Sequence, residues 1–324
     1  MNEANTFVLA VDLGGTNLRG AVVDETGQTH FRFKQRTPVS NDPQPIVHAL
    51  AAAARECDQQ LGRSKTTFSA ICIAVPGSVN VAEGSIGQAP NIPCLDGFHL
   101  GQAVSDQLSR PVILENDANA AAVGEMWRGA ARDRRTIVCV TLGTGVGGGI
   151  VLEGKVWRGV NGSAAEIGHM CVDPFSDAVC GCGGRGCLEA FSSATAVVRM
   201  AHGALPKYPD SILHSRGDFT SEDVYRAGKA GDKLALEVFQ RMGDYLGVGL
   251  INLITILNPE LIVIVGGLVD AWELFANAMN QRVAERDFPL PALRLPIVRG
   301  QCGDDAGLLG AARLGFDYLD RCSG

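Results

Sequence analysis

Apolar residues occur in short continuous runs separated by glycine-rich turns, a pattern typical of buried strands in an α/β protein. Residues 7–11 form the first run, residues 12–20 a glycine-containing turn and residues 21–23 a second run. The pattern returns over residues 138–152, where residues 143–149 supply the glycine-rich turn. Each stretch therefore predicts a strand, a turn and a second strand.

The two stretches are also similar to each other in sequence. At an offset of 129 residues the coinciding pairs are Val11/Val140, Leu13/Leu142, Gly14/Gly143, Gly20/Gly149 and Val22/Val151. Two similar hairpins separated by about a domain's length indicate two halves of related design.

The other apolar and polar positions predict strands that alternate with helices, which favours an α/β fold. The first half predicts a helix beginning at Asp42-Pro43, strands over residues 68–75 and 111–114, and a helix over residues 118–127. The second half predicts helices over residues 187–205, 232–257, 270–286 and 304–320, a short helix capped by Thr220 and Asp223, and strands over residues 261–265 and 295–298.

Composition narrows the class of protein. The chain has 324 residues, 46% hydrophobic and 19% charged, which suits a globular protein of two domains. A net charge of −7, with no basic cluster, argues against nucleic-acid binding. The sequence shows no signal peptide and no apolar run of the about 18 residues that a membrane span needs. Ten cysteines without a secretory signal indicate reduced thiols and a cytoplasmic location.

Three cysteines lie within eight residues, and a histidine precedes them. Cys180, Cys182 and Cys187 stand among glycines that let the backbone curl, and His169 lies eleven residues before the first of them. Three thiolates and an imidazole are a ligand set for tetrahedral zinc, and four protein ligands make such a site structural. The alternative is that these cysteines are small buried residues or disulfide partners.

The glycine spacing Gly143-x-Gly145-x-x-Gly148 matches the dinucleotide-binding fingerprint. That fingerprint requires a helix directly after the turn, whereas residues 149–157 continue as a strand, so the sequence argues against a Rossmann fold. A glycine-rich hairpin turn can still present backbone N–H groups to phosphate oxygens. An ordinary tight hairpin is the alternative for either turn alone.

Acidic and amide side chains stand where predicted strands end. Asp12 follows the first strand, where a carboxylate could hold a water of a magnesium shell. Asn116 and Asp117 stand where a strand gives way to a helix, so they are candidates for chemistry, and a helix cap is the alternative. Glu125, within the following helix, is expected to be a solvated or paired surface charge.

Seven motifs in chain order carry a family resemblance. They are DLGGTNLRG, AVPGSV, ENDANAAAVGE, GTGVGGG, NGSAAEIGH, CGCGGRGCLE and IVIVGG, spread over residues 12–267. Together they resemble the ROK family of sugar kinases, a branch of the actin-like ATPases. Within that family, the chain looks most like ATP-dependent bacterial glucokinases.

The resemblance implies a role for particular residues. Asp117 matches the catalytic base. The residues that match the sugar site are Gly77, Asn91, Asn116, Asp117, Glu166, His169 and Glu189. Asp12, Gly14, Gly15, Thr16 and Asn17 match the first phosphate segment, Gly143, Thr144 and Gly145 the second, and Gly266 and Gly267 the adenosine segment. His169, Cys180, Cys182 and Cys187 match the zinc ligands, so that His169 would serve both metal and sugar.

The resemblance also implies a fold and a reaction. The fold is α/β, a two-domain actin-like ATPase (sugar kinase/Hsp70, ribonuclease H-like) fold with a cleft between the domains. Residues 1–120 plus 304–324 are expected to form the N-terminal domain, and residues 121–303 a larger C-terminal domain with the zinc-binding loop. The reaction is phosphoryl transfer from ATP, with Mg²⁺, to the 6-hydroxyl of a hexose, glucose first, with Zn²⁺ structural. The expected partners are small molecules and a second copy of the chain, with no nucleic acid and no membrane.

Three alternatives stay open. The nearest is a kinase for N-acetylmannosamine, N-acetylglucosamine, allose or fructose. The second is a sugar-responsive transcriptional regulator of the same family, which needs a helix-turn-helix before Asp12, where this sequence has eleven residues. The third is an actin-like structural ATPase, in which Glu166, His169 and Glu189 beside a zinc cluster would have no purpose.

One position departs from the family pattern. The family usually has glycine directly before the sugar-binding glutamate, whereas this chain has Ala165 before Glu166. If the position needs a positive φ, alanine costs about 1 kcal/mol there and could shift Glu166.

Overall fold

The computed structural model of the chain describes residues 6–62, 67–285 and 295–323. Its strands are β1 (Phe7–Leu13), β2 (Asn17–Asp24), β3 (Thr29–Arg36), β4 (Ala70–Val75), β5 (Val79–Asn80), β6 (Ser85–Ile86), β7 (Val112–Asn116), β8 (Ile137–Leu142), β9 (Val146–Leu152), β10 (Lys155–Val156), β11 (Leu261–Val265) and β12 (Ile297–Arg299). Its α-helices are α1 (Gln44–Gly62), α2 (Leu100–Leu108), α3 (Asp117–Arg128), α4 (Glu189–Ser192), α5 (Ala194–Ala204), α6 (Ser221–Lys229), α7 (Lys233–Leu257), α8 (Trp272–Ala284) and α9 (Ala306–Ser323).

The chain divides into two compact units. The first contains residues 1–135, 149–164 and 300–324, and the second contains residues 136–148 and 165–299. The sequence placed residues 121–303 in the second domain, so the two divisions differ over residues 121–135, 149–164 and 300–303. Packing accounts for the position of α3, because its Val123 belongs to the same buried cluster as Leu308 and Ala312 of α9.

The first unit is built on a sheet with the strand order β3-β2-β1-β4-β7. β1 pairs antiparallel with β2 and parallel with β4, and β4 pairs parallel with β7. Because side chains alternate along a strand, Leu9 and Val11 join a cluster with α1, whereas Val8 and Ala10 join the cluster containing α3 and α9. Both faces of the sheet are therefore buried, which explains the continuous apolar runs in its central strands.

The second sheet repeats this topology. Its strand order is β10-β9-β8-β11-β12, and β11 pairs parallel with both β8 and β12. The antiparallel β9 and β10 correspond to β2 and β3 of the first sheet. The internal repeat predicted from the sequence is therefore present as two sheets of the same strand order.

Helix caps follow the predicted residues. Thr220 and Asp223 form a reciprocal capping box at the start of α6. The carboxylate of Asp232 accepts from the N–H of Ala235 at 3.0 Å and begins the 25-residue α7. In the described part of the chain, neither α7 nor another helix combines the length and apolarity that crossing a membrane requires.

Several predicted elements differ from the structure. The helix predicted over residues 187–205 is two helices, because Ser193 adopts an extended conformation and its hydroxyl caps α5 at Ala196 N. The last predicted strand is shorter, at Ile297–Arg299, and residues 303–305 form a 3₁₀ turn ahead of α9. Residue 286, the predicted end of α8, lies outside the described residues.

The expectation for Glu125 was wrong. Its side chain is fully buried rather than at the surface. One carboxylate oxygen accepts from the N–H groups of Ala130 (2.8 Å) and Gln301 (3.0 Å), and the other from the N–H of Cys302 (2.9 Å). A buried carboxylate is tolerated because backbone donors satisfy it, so Glu125 holds two distant chain segments of the first unit.

Candidate active site

The first glycine turn joins β1 to β2. The N–H of Gly14 donates to Asn17 O at 2.9 Å, and the carbonyl oxygens of Gly14 and Thr16 accept from Thr37. The N–H groups of Gly15 and Thr16 have no hydrogen-bond partner among the described residues. Two adjacent backbone donors of this kind form a concavity suited to an anion such as a phosphate.

Asn91 lies directly against this turn. A Cβ atom placed on Gly15 would be 2.8 Å from the carbonyl oxygen of Asn91, so only glycine fits at this position. Asn91 is itself exposed. The first unit therefore brings a predicted sugar residue into contact with the predicted phosphate turn.

Asp12 has a partner that the sequence analysis did not identify. It stands opposite Arg19 in the β1–β2 pair, and the guanidinium of Arg19 binds the carboxylate of Asp12, with Nε 3.1 Å from Oδ2. About a fifth of the Asp12 side chain is exposed, at 22%. The carboxylate fits the oxygen chemistry of a magnesium shell, and Arg19 holds it at the end of β1.

Asn116 and Asp117 stand where β7 ends and α3 begins. Asn116 is the N-cap, since its Oδ1 accepts from Asn119 N at 3.0 Å, and its Nδ2 donates to Gly77 O at 2.9 Å. Asn116 therefore caps α3, as the alternative interpretation expects, and its amide also contacts Gly77. Asp117 is exposed, and its Oδ1 accepts from Ala118 N at 2.8 Å.

A buried ion pair supports this strand end. Glu115 is 1% exposed, and its Oε2 accepts from Arg158 Nε at 2.8 Å. Its Oε1 accepts from Asn116 N and from Asn119 Nδ2, each at 3.1 Å. Neither Glu115 nor Arg158 was predicted from the sequence, because a charge beside a motif does not show which distant arginine neutralises it.

Gly77 requires its glycine. Its φ is +103°, and a Cβ there would lie 1.9 Å from the carbonyl oxygen of Gln88. Any other residue would have to move the backbone of the β5–β6 hairpin. The conformation in turn fixes the carbonyl that accepts from Asn116.

The second glycine turn, between β8 and β9, has the same character as the first. The carbonyl oxygen of Gly143 accepts from Ala194 N and that of Thr144 from Thr195 Oγ1, both at 2.8 Å, and Gly143 N donates to Gly145 O at 3.0 Å. The N–H groups of Thr144 and Gly145 have no hydrogen-bond partner in the described part of the chain. At the offset of 129 residues these two donors correspond to those of Gly15 and Thr16.

The predicted adenosine segment follows β11 in the same unit. Gly266 has a φ of +97° and lies against the carbonyl of Leu142, the last residue of β8, and Gly267 begins a 3₁₀ turn. Both glycines are exposed.

The predicted zinc ligands converge. The ligand atoms of His169, Cys180, Cys182 and Cys187 all lie within 4.8 Å of one another. Tetrahedral zinc with bonds of about 2.3 Å to sulfur and 2.0–2.1 Å to nitrogen separates two sulfurs by about 3.8 Å and sulfur from nitrogen by about 3.6 Å. Cys182 and Cys187 have their Sγ atoms 3.8 Å apart, and Cys180 Sγ is 3.5 Å from His169 Nδ1.

Burial and hydrogen bonding give the thiols of this cluster unequal acidity. Burial raises the pKa of Cys180 and of Cys187, whereas a hydrogen bond from the backbone of Gly184 lowers the pKa of Cys182. Donor types and spacing together fit Zn²⁺.

Glu166 is the N-cap of a short 3₁₀ turn, and His169 is the last residue of that turn. The Nδ1 atom of His169 faces Cys180, and its Nε2 lies 4.0 Å from Glu166 Oε2, so the two ring nitrogens face different groups. Ala165, directly before Glu166, has a φ of +65°. The position therefore does require the left-handed conformation that glycine usually supplies.

Glu189 connects the cysteine cluster with the second glycine turn. Its Oε1 lies 3.2 Å from Cys180 Sγ, and its Oε2 accepts from Val146 N at 3.0 Å. Each unit thus gathers part of the predicted site. The first contains the turn with Asn91 and Asn116 with Gly77, and the second contains the cysteine cluster, Glu189 and the other turn.

Two equivalent sheets, each with a donor-bearing glycine turn after its first strand, are the fold of the actin-like ATPases. The chain belongs to the ROK family, whose family model matches residues 8–317. It is 35% identical to a glucokinase of Halalkalibacterium halodurans, over 96% of this chain and 95% of that protein.

Structural comparison gives the same family. The fold is similar to a ROK family glucokinase from Streptomyces griseus in complex with glucose and AMPPNP, with a TM-score of 0.79, 32% identity, and coverage of 96% of this chain and 99% of that one. A xylose repressor of Bacillus subtilis is 27% identical over 98% of this chain and 79% of the repressor.

Proposed function

We propose that this protein transfers the γ-phosphoryl group of ATP to the 6-hydroxyl of a hexose, and that glucose is the preferred hexose. The observation that carries the proposal is the pair of glycine turns, each with two adjacent N–H groups that have no hydrogen-bond partner within residues 6–62, 67–285 and 295–323. The similarity to glucokinases over nearly the whole chain supports the choice of reaction and sugar.

The nucleotide would be bound by backbone groups. Phosphoryl transfer depends mainly on alignment and on stabilisation of charge on the phosphate oxygens. Gly15 and Thr16 of the first turn, and Thr144 and Gly145 of the second, supply the donors, and Gly266 and Gly267 supply the adenosine segment. Asp12 would hold the Mg²⁺ that neutralises phosphate charge.

The acceptor hydroxyl would be activated by Asp117. As the sugar oxygen forms its bond to phosphorus and the bond to the leaving ADP oxygen breaks, the hydroxyl proton passes to the Asp117 carboxylate. Exposure of Asp117 at the first residue of α3 supports this role. Asn116, held by Gly77 through one N–H of its amide, keeps its second N–H for a sugar hydroxyl.

The remaining hexose ligands would be Asn91, Glu166, His169 and Glu189. We propose that zinc binds His169 through Nδ1 together with the three cysteines, which leaves Nε2 for the sugar. The metal would be structural and would fix the segment that carries these ligands. A second copy of the chain as partner rests on family resemblance, and a cytoplasmic location is supported by ten cysteines without a disulfide.

A sugar-responsive regulator is the second candidate, since xylose repressors are among the relatives. Both candidates are separated by a coupled ADP-release assay over glucose, N-acetylmannosamine, N-acetylglucosamine, allose, fructose and xylose. The proposal expects turnover with the highest kcat/KM for glucose, because polar groups that pair with one set of hydroxyls reject analogues that leave those groups unpaired in the complex. A higher kcat/KM for N-acetylmannosamine would reassign the sugar, and sugar binding without ADP release would favour the regulator.

A further inference from the structure

Two threonines outside the predicted site bind the backs of the two glycine turns. Thr37 Oγ1 donates to the carbonyl of Gly14 at 2.5 Å, and Thr195 Oγ1 donates to the carbonyl of Thr144 at 2.8 Å. They belong to different elements, since Thr37 directly follows β3 and Thr195 is the second residue of α5. The same kind of contact has thus been built twice from unrelated parts of the chain.

Peptide geometry connects each contact to the opposite side of its turn. A trans peptide is planar, and its C=O and N–H point in opposite directions. Fixing the carbonyl of Gly14 therefore fixes the N–H of Gly15, and fixing the carbonyl of Thr144 fixes the N–H of Gly145. Both of these N–H groups are among the donors that have no hydrogen-bond partner in the part of the chain that the structure describes.

We propose that Thr37 and Thr195 are positioning residues that aim these N–H groups at the phosphates of the nucleotide. The inference rests on the proposed function, because it needs a nucleotide at the turns. Glycine turns rotate their peptides easily, so an unanchored turn has to be ordered when the nucleotide binds. A hydroxyl that holds the carbonyl before the nucleotide binds lowers the entropy cost of ordering the turn.

The two threonines differ in how their replacement affects folding. Thr37 is 5% exposed, and its own N–H also donates to Thr16 O at 3.0 Å, so it clamps the first turn at two points. Thr195 is exposed, and its neighbour Ala194 donates to Gly143 O. Removing the Thr195 hydroxyl should leave stability nearly unchanged, because Thr144 is exposed and water can bind its carbonyl. Removing the buried hydroxyl of Thr37 leaves the carbonyl of Gly14 without a partner and should destabilise the fold.

The test compares Thr195→Val, which keeps the shape but loses the donor, with Thr195→Ser, which keeps the hydroxyl. Thr37→Val and Thr37→Ser form the matched pair in the first turn. Affinity for the analogue AMPPNP with Mg²⁺ is measured by calorimetry, alongside KM for ATP, KM for glucose and thermal stability. Each valine variant should weaken nucleotide binding and raise KM for ATP by about two- to tenfold, the loss of one hydrogen bond.

The serine variants should restore nucleotide affinity, and KM for glucose should stay within about twofold of wild type. The effects in the double valine variant should multiply, because the two contacts share no partner. Valine variants that bind AMPPNP as tightly as wild type would overturn the inference and leave the proposed function intact. Serine variants as weak as the valine ones would also overturn it. A wild-type protein that does not bind AMPPNP would overturn the proposed function itself.

Discussion

Ala165 occupies a conformation that costs an L-residue free energy. Its φ of +65° lies in the left-handed region, where a Cβ costs about 1–2 kcal/mol. Ala165→Gly removes that cost. It also makes the unfolded chain more flexible, which lowers the free energy of unfolding by about 0.4–1 kcal/mol. We therefore expect the variant to gain about 0.5–1 kcal/mol in free energy of unfolding, or about 1–3 °C in melting temperature.

Ala165→Gly should change the kinetic constants less than it changes stability. Because the backbone already adopts the positive φ, glycine would relieve strain without moving Glu166. We expect KM for glucose to stay within about twofold of wild type, since no hydrogen-bonding group is removed. The measurements are urea denaturation, differential scanning calorimetry and steady-state kinetics.

The neighbouring alanine supplies the control. Ala164 has no positive φ, so Ala164→Gly should lose about 0.4–1 kcal/mol through the unfolded state alone. A higher free energy of unfolding for Ala165→Gly and a lower one for Ala164→Gly would show that the strain lies at residue 165. Equal destabilisation by both substitutions would refute the reasoning, as would a large change in KM for glucose without a change in stability.

Three further changes test other parts of the site. Asp117→Asn should keep the fold and most glucose affinity but lower kcat by about 10²–10⁴-fold. A kcat near that of wild type at saturating substrates would show that Asp117 is not the catalytic base and only begins α3. Cys182→Ala should lose bound zinc, as measured by elemental analysis, and raise KM for glucose by about tenfold or more. Nucleotide affinity should fall less, through the contact of Glu189 with Val146. A zinc-free variant with unchanged KM for glucose would show that the cluster does not organise the sugar site. Gly77→Ala should cost about 3 kcal/mol or more in urea denaturation, because its Cβ would clash with a backbone oxygen. Gly84→Ala should cost about 1 kcal/mol, because its φ is +62° but its Cβ would make only an ordinary contact, 3.8 Å from the Cα of Gly101; equal costs would show that the hairpin adjusts.

Local signals predicted the fold well where the interactions are local. Continuous apolar runs and the glycine turns gave β1, β2, β8 and β9, and the spacing of Thr220 and Asp223 gave the start of α6. The sequence analysis did not identify β3, because this edge strand alternates half-buried with exposed positions and is rich in charges. The short extended break at Ser193 was likewise hidden within a helix-like pattern.

In the site, too, features that are local in the sequence were predicted, and contacts between distant residues were not. The cysteines of the cluster were found because they lie within eight residues, and their ligand atoms converge. Thr37 and Thr195 were missed because their partners lie 23 and 51 residues away in the chain. Glu125 was assigned to the surface because its donors at residues 301 and 302 are 176 and 177 residues distant.

The contact between Gly15 and Asn91 has a kinetic consequence. If Asn91 binds the sugar as proposed, a displacement of its loop would reach the peptide groups that would face ATP directly, because no side chain separates Gly15 from Asn91. Such coupling would be reciprocal, so a nucleotide that reorders the turn would change sugar affinity by the same factor. The Michaelis constants for the two substrates would then depend on each other, and each would have to be stated at a specified concentration of the other substrate.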